Sequence, residues 1–248
     1  MMRWLILLLL VLQTAGCSAG MPAQSSREVQ AKDLIALLDK GKHICLDSCV
    51  VWGDLDFTKF RNRNRISSNI TQVFVNQSVT FIGCVFMGKV KAFDTSGSVC
   101  VEFGHNLSFT GCDFRQEADF TESTIGGNAF FTGSVFRKKL SLQGAHFRHK
   151  KAYFNEMQFE DEALFQNTVF AGDVNFMHTV FSASAMFQKT RIWGLLFMGN
   201  VRFKGYADFT YASAGESVFN YATFGERYDF GYSQLNAKGL PEIIRDKE

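Results

Sequence analysis

From Phe109 onward a large apolar residue, usually Phe, recurs at steps of five and six residues that alternate. Phe109, Phe114, Phe120, Ile125, Phe131, Phe136, Leu142 and Phe147 make a first run. After one extra residue the pattern resumes at Phe154, Phe159, Phe165, Phe170, Phe176, Phe181, Phe187, Ile192, Met198, Phe203 and Phe209. A helix needs apolar positions three and four apart, and an ordinary strand needs them two apart; neither fits. A period of five plus six, held over so long a stretch, marks a repeat array. Such units cannot bury an apolar face alone and must stack into a solenoid.

A second, smaller signal lies two places before each large anchor. Cys112, Ala118, Ser123, Ala129, Ser134, Ala145, Ala152, Ala163, Thr168 and Val174 all hold that place. Residues i−2 and i therefore share a face and i−1 points away, as in a very short extended segment. The intervening residues are rich in Gly, Ser, Thr, Asn and Asp, the residues that turns use. Both prolines, Pro22 and Pro241, fall outside the array, so every turn amide can bond a neighbouring coil.

A small residue, then Asp or Asn, then a large one, resembles the pentapeptide-repeat signature. Ala118-Asp119-Phe120, Ala207-Asp208-Phe209 and Cys112-Asp113-Phe114 carry it. The chain looks like the Phe-centred branch of that family, with every second unit lengthened to six residues. The resemblance spans residues 66–235. It implies an all-β fold: a right-handed parallel β-helix with four-faced coils of about 22 residues, about seven coils in all. At ~4.8 Å between strands these make a rod of roughly 35 Å. The six-residue units argue against a strictly square cross-section.

Residues 1–17 read as a signal peptide: Arg3, an apolar run from Trp4 to Leu12, then Thr14-Ala15-Gly16-Cys17. The run is too short to span a membrane and has the layout of a secretory signal. Its exit resembles a bacterial lipobox, with Thr14 where Leu is usual. The resemblance implies lipidation of Cys17 and a membrane partner through that N-terminal lipid; ordinary cleavage nearby is the alternative. Ser18, rather than Asp, after the cysteine implies an outer-membrane location facing the periplasm. Residues 18–27 read as a tether and 28–65 as a cap of one helix and irregular first strands. The helix is expected over Glu28–Lys40, with Val29, Leu34, Leu37 and Leu38 on one stripe and Gly41 just past its end. The array fills 66–235, and 236–248 is a polar tail.

Six cysteines, five histidines and many carboxylates supply polar chemistry, but no recognisable constellation. Cys84 and Cys112 hold equivalent repeat places and read as small inward residues standing in for Ala. Cys45 and Cys49, four apart, read either as a disulfide or as two thiols. The histidines are scattered and no second Cys or His pair has zinc-ligand spacing, so no metal is expected. No nucleophile elbow, phosphate loop, metalloprotease or dinucleotide fingerprint occurs, so no catalytic residue and no cofactor are expected. Asp119, Asp208 and Asp229 fall at the repeat's own Asp place, where they bond turn backbone.

The net charge of +2 excludes neither a membrane nor a protein partner. It disfavours mimicry of DNA, which requires a strongly negative rod, and no nucleic acid is expected. Arg137-Lys138-Lys139 lies a coil from both Arg115-Gln116-Glu117 and Glu160-Asp161-Glu162, which reads as a charge ladder. Arg148-His149-Lys150-Lys151 has only uncharged and single-Asp neighbours and reads as mostly unpaired. Arg61, Arg63 and Arg65 near the cap also read as unpaired, either solvated or set against anionic headgroups. Tyr211 and Tyr232, each two past its anchor and a coil apart, should stack outside, either for their own sake or as a contact surface. The expectation is a non-enzymatic, lipid-anchored envelope scaffold for protein or glycan contact. An envelope polysaccharide-binding or -cleaving β-helix is the alternative.

Overall fold

The computed structural model describes residues 27–94, 96, 98–148, 151–225, 227–235 and 240. The signal peptide with Cys17, the tether up to residue 26 and nearly all of the tail lie outside the described residues.

Each inward pair of small and large residues builds a strand that is often two residues long, such as Asp113–Phe114, Val135–Phe136, Gln158–Phe159 and Val180–Phe181. These strands stack in parallel and in register, Phe114 on Phe136 on Phe159 on Phe181. The fold is a right-handed parallel β-helix. Its faces form sheets of nine, fourteen and eight strands. The fourteen-stranded sheet contains two faces, joined through the long strand Arg191–Phe197, which runs across a corner.

The Phe columns fill the interior. All fifteen array phenylalanines from Phe109 to Phe209 at anchor places are at most 3% exposed. Along one column the rings of Phe114 and Phe136 lie 4.2 Å apart and those of Phe159 and Phe181 4.8 Å apart, nearly parallel. Rings of adjacent columns meet edge to face, as Phe165 and Phe176 do at 5.3 Å. Offset stacking along a column and edge contact across it are the two arrangements that aromatic quadrupoles favour.

The alternation of steps has a geometric cause: two kinds of corner. In most five-residue steps the N–H of anchor+3 donates to the anchor carbonyl, as Ser123 does to Phe120 at 3.1 Å and Ala212 to Phe209 at 2.9 Å; at Cys112 and Met157 it donates to Ser134 Oγ and Thr179 Oγ1 of the next coil instead. The residue at anchor+2 then takes positive φ: 54° at Glu122, 58° at Asn167, 57° at Lys189. That is the geometry of a type II turn. The six-residue steps have no such residue and turn through a wider corner. The amides around it bond the next coil instead, as Ala118 N–H does to the Lys139 carbonyl at 3.0 Å.

Corner type also selects the small inward residue. After wide corners it is aliphatic: Ala118, Ala129, Leu140, Ala152, Ala163. After tight corners it is often a hydroxyl residue, because there the anchor carbonyl of the preceding coil is buried. Ser134 Oγ donates to the Phe109 carbonyl at 2.6 Å, Thr168 Oγ1 to Leu142 at 2.8 Å and Thr190 Oγ1 to Phe165 at 2.7 Å. A carbonyl oxygen has two lone pairs, and at Leu142 and Phe165 the hydroxyl adds a second donor to the turn N–H. Cys84 and Cys112 hold this same place. Their thiols approach the carbonyls of Leu46 and Phe81 at 3.7 and 3.6 Å. They are the small inward residues expected, at a place that Ala145, Ala212 and Ala222 hold elsewhere, and they add a weak donor as Ser and Thr do.

The N-terminal end departs from expectation in one element. Residues 28–30 are not helical: β1 (Arg27–Gln30) lies parallel to β3 (Cys49–Trp52), and α1 spans Ala31–Asp39. The open edge of β3 supplies ladder partners for Glu28–Gln30, which outweigh one more turn of helix. Ala31, Leu34, Ile35 and Leu38 of α1 are buried, joining Leu55 and Phe57 in the core. Gly41, at φ 73°, takes the left-handed turn that ends the helix, its N–H on the Leu38 carbonyl at 2.8 Å.

Two irregularities interrupt the array. The step from Phe147 to Phe154 is one residue longer than the other long steps, and the ladders on both sides are intact. Tyr153 lies in a regular strand, opposite Phe130 and Asn175. The added length therefore falls between Phe147 and Ala152. The second irregularity is a register shift between Ile192 and Leu195 against the segment Ser213–Val218.

Candidate contact surfaces

With Phe columns inside, polar chemistry is left to corners and outward faces. Three exposed places stand out, and the sequence pointed to two of them.

The first is the arginine segment. β5 (Arg63–Arg65) turns back antiparallel on β6 (Thr71–Val75), making a hairpin that stands off the first coil. Ile66 and Ile70 are exposed at its turn. The three arginines were expected to be unpaired. Arg61 instead meets Asp39, through its N–H at 2.9 Å and its guanidinium at 3.5 Å. Arg63 donates to the carbonyls of Thr58 and Phe60, and Arg65 to those of Ser67 and Ser68. Carbonyls fix the position of a guanidinium without neutralising it. Among the described residues no carboxylate pairs with Arg63 or Arg65, so the hairpin keeps their positive charge.

The second is the tyrosine corner. Tyr211 and Tyr232 stack at 5.0 Å with planes 10° apart, on successive tight corners of one edge. Tyr221 occupies a tight corner of another edge and is 83% exposed. All three hold the anchor+2 place, with φ of 57–60°. A bulky side chain is disfavoured there by roughly 1–2 kcal/mol. Elsewhere the same place is held by Gly83, Gly111, Gly133 and Gly144 and by polar residues such as Glu122, Asn167, Lys189 and Asn200. Tyr206, one coil from Arg227, differs: its hydroxyl donates to Asp208 at 3.2 Å and Arg227 lies over its ring. Burial and then the Asp208 charge raise its pKa.

The third place was not recognised from sequence. Phe130, Tyr153, Asn175 and Phe197 occupy one outward column. Phe130 and Tyr153 are stacked at 5.2 Å. A shallow groove of about 200 Å³ opens beside them, lined by Lys151, Tyr153, Asp173, Asn175 and Phe197. Trp193, 71% exposed, lies on the wide corner next to Leu195. The signal was available: Phe130, Tyr153 and Phe197 each sit one place before an anchor, where the repeat points outward.

The charges pair more fully than expected. Arg137 grips Asp113 with two nitrogens at 2.9 and 3.0 Å and reaches Glu160 at 2.9 Å. The Asp113 bonds and then its charge raise the Arg137 pKa. The run at 148–151 is not unpaired at its ends. Arg148 spans two coils to Glu102 at 3.0 Å, and Lys151 meets Asp173 at 3.3 Å. His149 and Lys150 lie outside the described residues. The Leu195 N–H, foremost, holds the Asp173 carboxyl below its usual range, with help from Lys151.

The carboxylates at the repeat's Asp place are engaged structurally. Asp119, Asp208 and Asp229 each accept the N–H of the residue two further on, Thr121, Thr210 and Gly231, at 2.8–3.0 Å. Cys45 points outward and Cys49 inward, and no disulfide joins them: neighbouring strands turn the two side chains to opposite sides. Among the described residues no group of three or more His, Cys, Asp or Glu is gathered for a metal, and no helix is long and apolar enough to cross a membrane.

Comparison with known proteins agrees with this geometry where it applies. Residues 142–191 match the family described as pentapeptide repeats, in nine copies. That segment is a pentapeptide-repeat array. Its flanks continue the same alternation of tight and wide corners. The chain is also similar to a solved structure of trypsin-treated QnrB1, described as a plasmid-mediated fluoroquinolone resistance protein. The identity is 16%, over 78% of this chain and 91% of that one, with a TM-score of 0.20. No curated protein matches.

Proposed function

We propose that this protein is a non-enzymatic scaffold of the cell envelope, held by a lipid on Cys17 and presenting its corners to a protein or glycan partner. The observation that carries the contact role is the tyrosine corner. Tyr211, Tyr221 and Tyr232 are the large apolar side chains that the tight corners hold exposed, and the stacked rings of Tyr211 and Tyr232 support no core. A cluster of exposed aromatics on neighbouring corners points to a use for that surface. Outward aromatics fit the flat apolar faces of sugars and the aromatic anchors of protein interfaces. The arginine hairpin, on the same end of the rod as β1 (Arg27–Gln30), suits the anionic side of a membrane. Near such a surface each cation is worth about 1 kcal/mol.

Mass spectrometry of the membrane-extracted chain tests the anchor. A diacylglyceryl modification on Cys17 is expected, together with loss of detergent partition in Cys17→Ser. An unmodified, soluble mature chain would remove the anchor from this reading. The alternative is polysaccharide binding along the column Phe130, Tyr153 and Phe197 beside the Lys151–Asp173 pair. Binding of an envelope glycan that is lost in Tyr153→Ala, but kept when Tyr211 and Tyr232 are replaced, would favour it.

A further inference from the structure

Three thiols lie one above another inside the first coils. β3 is parallel to β8 (Val85–Phe86) with Val50 opposite Val85, and Val85 is in turn opposite Asp113. Cys49, Cys84 and Cys112 each come one residue earlier, so they take consecutive rungs of one inward column. All are buried, at 3%, 0% and 1% exposure. Adjacent rungs of a sheet stand ~4.8 Å apart, inside the ~4.4–6.8 Å between Cα atoms that a disulfide spans.

The three are not equivalent. Cys84 and Cys112 sit in the hydroxyl place of the tight corner and are directed at anchor carbonyls of the coil below. Cys49 is in the first coil and has no such coil beneath it. Its sulfur approaches the Asp47 carbonyl two residues back at 3.2 Å instead.

We propose that Cys49 and Cys84 form a cross-rung disulfide that locks the first coil to the second. The partner of Cys49 is thus the thiol above it in the column rather than its sequence neighbour Cys45. A small-molecule disulfide serves as oxidant. The Cys49 thiolate attacks one of its sulfurs and expels a thiol; Cys84, losing its proton, then displaces the second thiol. Two protein thiols and one disulfide give one protein disulfide and two small thiols. Cys49 suits the attacking role: the neighbouring Cys84 thiol, first, and the Arg27 charge bring its pKa down to about 7 against burial. Burial pushes Cys112 up to about 12, which keeps it a thiol. The geometry does not depend on export, although an oxidising compartment is where such a bond persists.

The test refolds the full chain from urea in reduced and oxidised glutathione and maps its peptides without reduction. A Cys49–Cys84 linked peptide is expected, with a Tm about 10 °C above that of the reduced chain. Cys84→Thr, which keeps a donor for the Leu46 carbonyl, should fold yet lose both the peptide and the Tm difference. Cys45→Ser and Cys112→Ser should keep both. Recovery of Cys49 and Cys84 as alkylatable thiols, or of a bridge involving Cys45 or Cys112, would overturn the proposal.

Discussion

Truncation of Phe136 probes the column directly. Its ring is fully buried, 4.2 Å from Phe114 below, 5.5 Å from Phe159 above and 6.4 Å from Phe131 beside it. Phe136→Ala removes the ring and leaves a hole whose walls are themselves stacked rings, held by ladders on both sides. They cannot collapse into it, so the cost should approach the upper part of the ~3–5 kcal/mol typical of Phe→Ala. In a chain of this size that lowers Tm by about 6–20 °C. Contacts in a solenoid run only between neighbours, so the damage should be local. Hydrogen exchange should quicken around Asp113–Phe114 and Gln158–Phe159 and stay slow at Ala207–Asp208. Phe130→Ala is the control, since Phe130 faces outward and stacks only on Tyr153; about 0.5–1.5 kcal/mol is expected there. Equal losses for the two variants in urea melts, or exchange that quickens uniformly along the rod, would refute the inward column as the source of stability.

Replacing both Tyr211 and Tyr232 with Gly should relieve their left-handed strain and hold or raise Tm, while recovery of an envelope partner in crosslinked pull-downs falls. A fall in both would make the stacked pair a structural element instead. At Gly88 an added Cβ would lie 2.3 Å from the Gly53 carbonyl oxygen, so Gly88→Ala should destabilise the first coils by about 1–3 kcal/mol in urea melts. Unchanged stability there would mean that the backbone approach is looser than described. Asp54, Glu117 and Asp173 have lowered pKa values, held by the Lys91 bond, the Lys89 bond and the Leu195 N–H respectively. Carboxylates lowered by folding stabilise above their unfolded pKa of about 4. That stability should be lost as pH falls below 4, through their folded values. Thermal melts that stay flat from pH 5 to pH 2 would contradict the assignment.

What the sequence disclosed follows from where burial is uniform. The anchors repeat because every coil buries the same column, so Phe114, Phe136 and Phe159 betray their stacking by spacing alone. The charge ladder at Arg137 was readable for the same reason: equal coils place equal positions side by side. The strand at Glu28–Gln30 was not readable, since its apolar spacing suits a helix equally well and only the free edge of β3 decides. Pairings that skip a coil, such as Arg148 with Glu102, escape any nearest-neighbour reading. The thiol column was hidden by the hairpin, which lengthens the first coil and separates Cys49 from Cys84 in sequence.

The step from Phe147 to Phe154 carries one residue more than its counterparts, yet Ala152 still lies opposite Ala129 and Val174. A wide corner thus takes up added length with no change to the ladders on either side. A tight corner has no such slack, because its anchor-to-anchor+3 bond fixes the residue count. The rod therefore offers ready graft points only on alternate edges. A foreign loop placed after Phe159 or Phe181 should ride on an unaltered frame, whereas the same loop placed after Phe165 or Phe187 would have to break a turn to enter. Loops grafted along one such edge would stand a strand spacing apart, a molecular ruler with marks every ~4.8 Å.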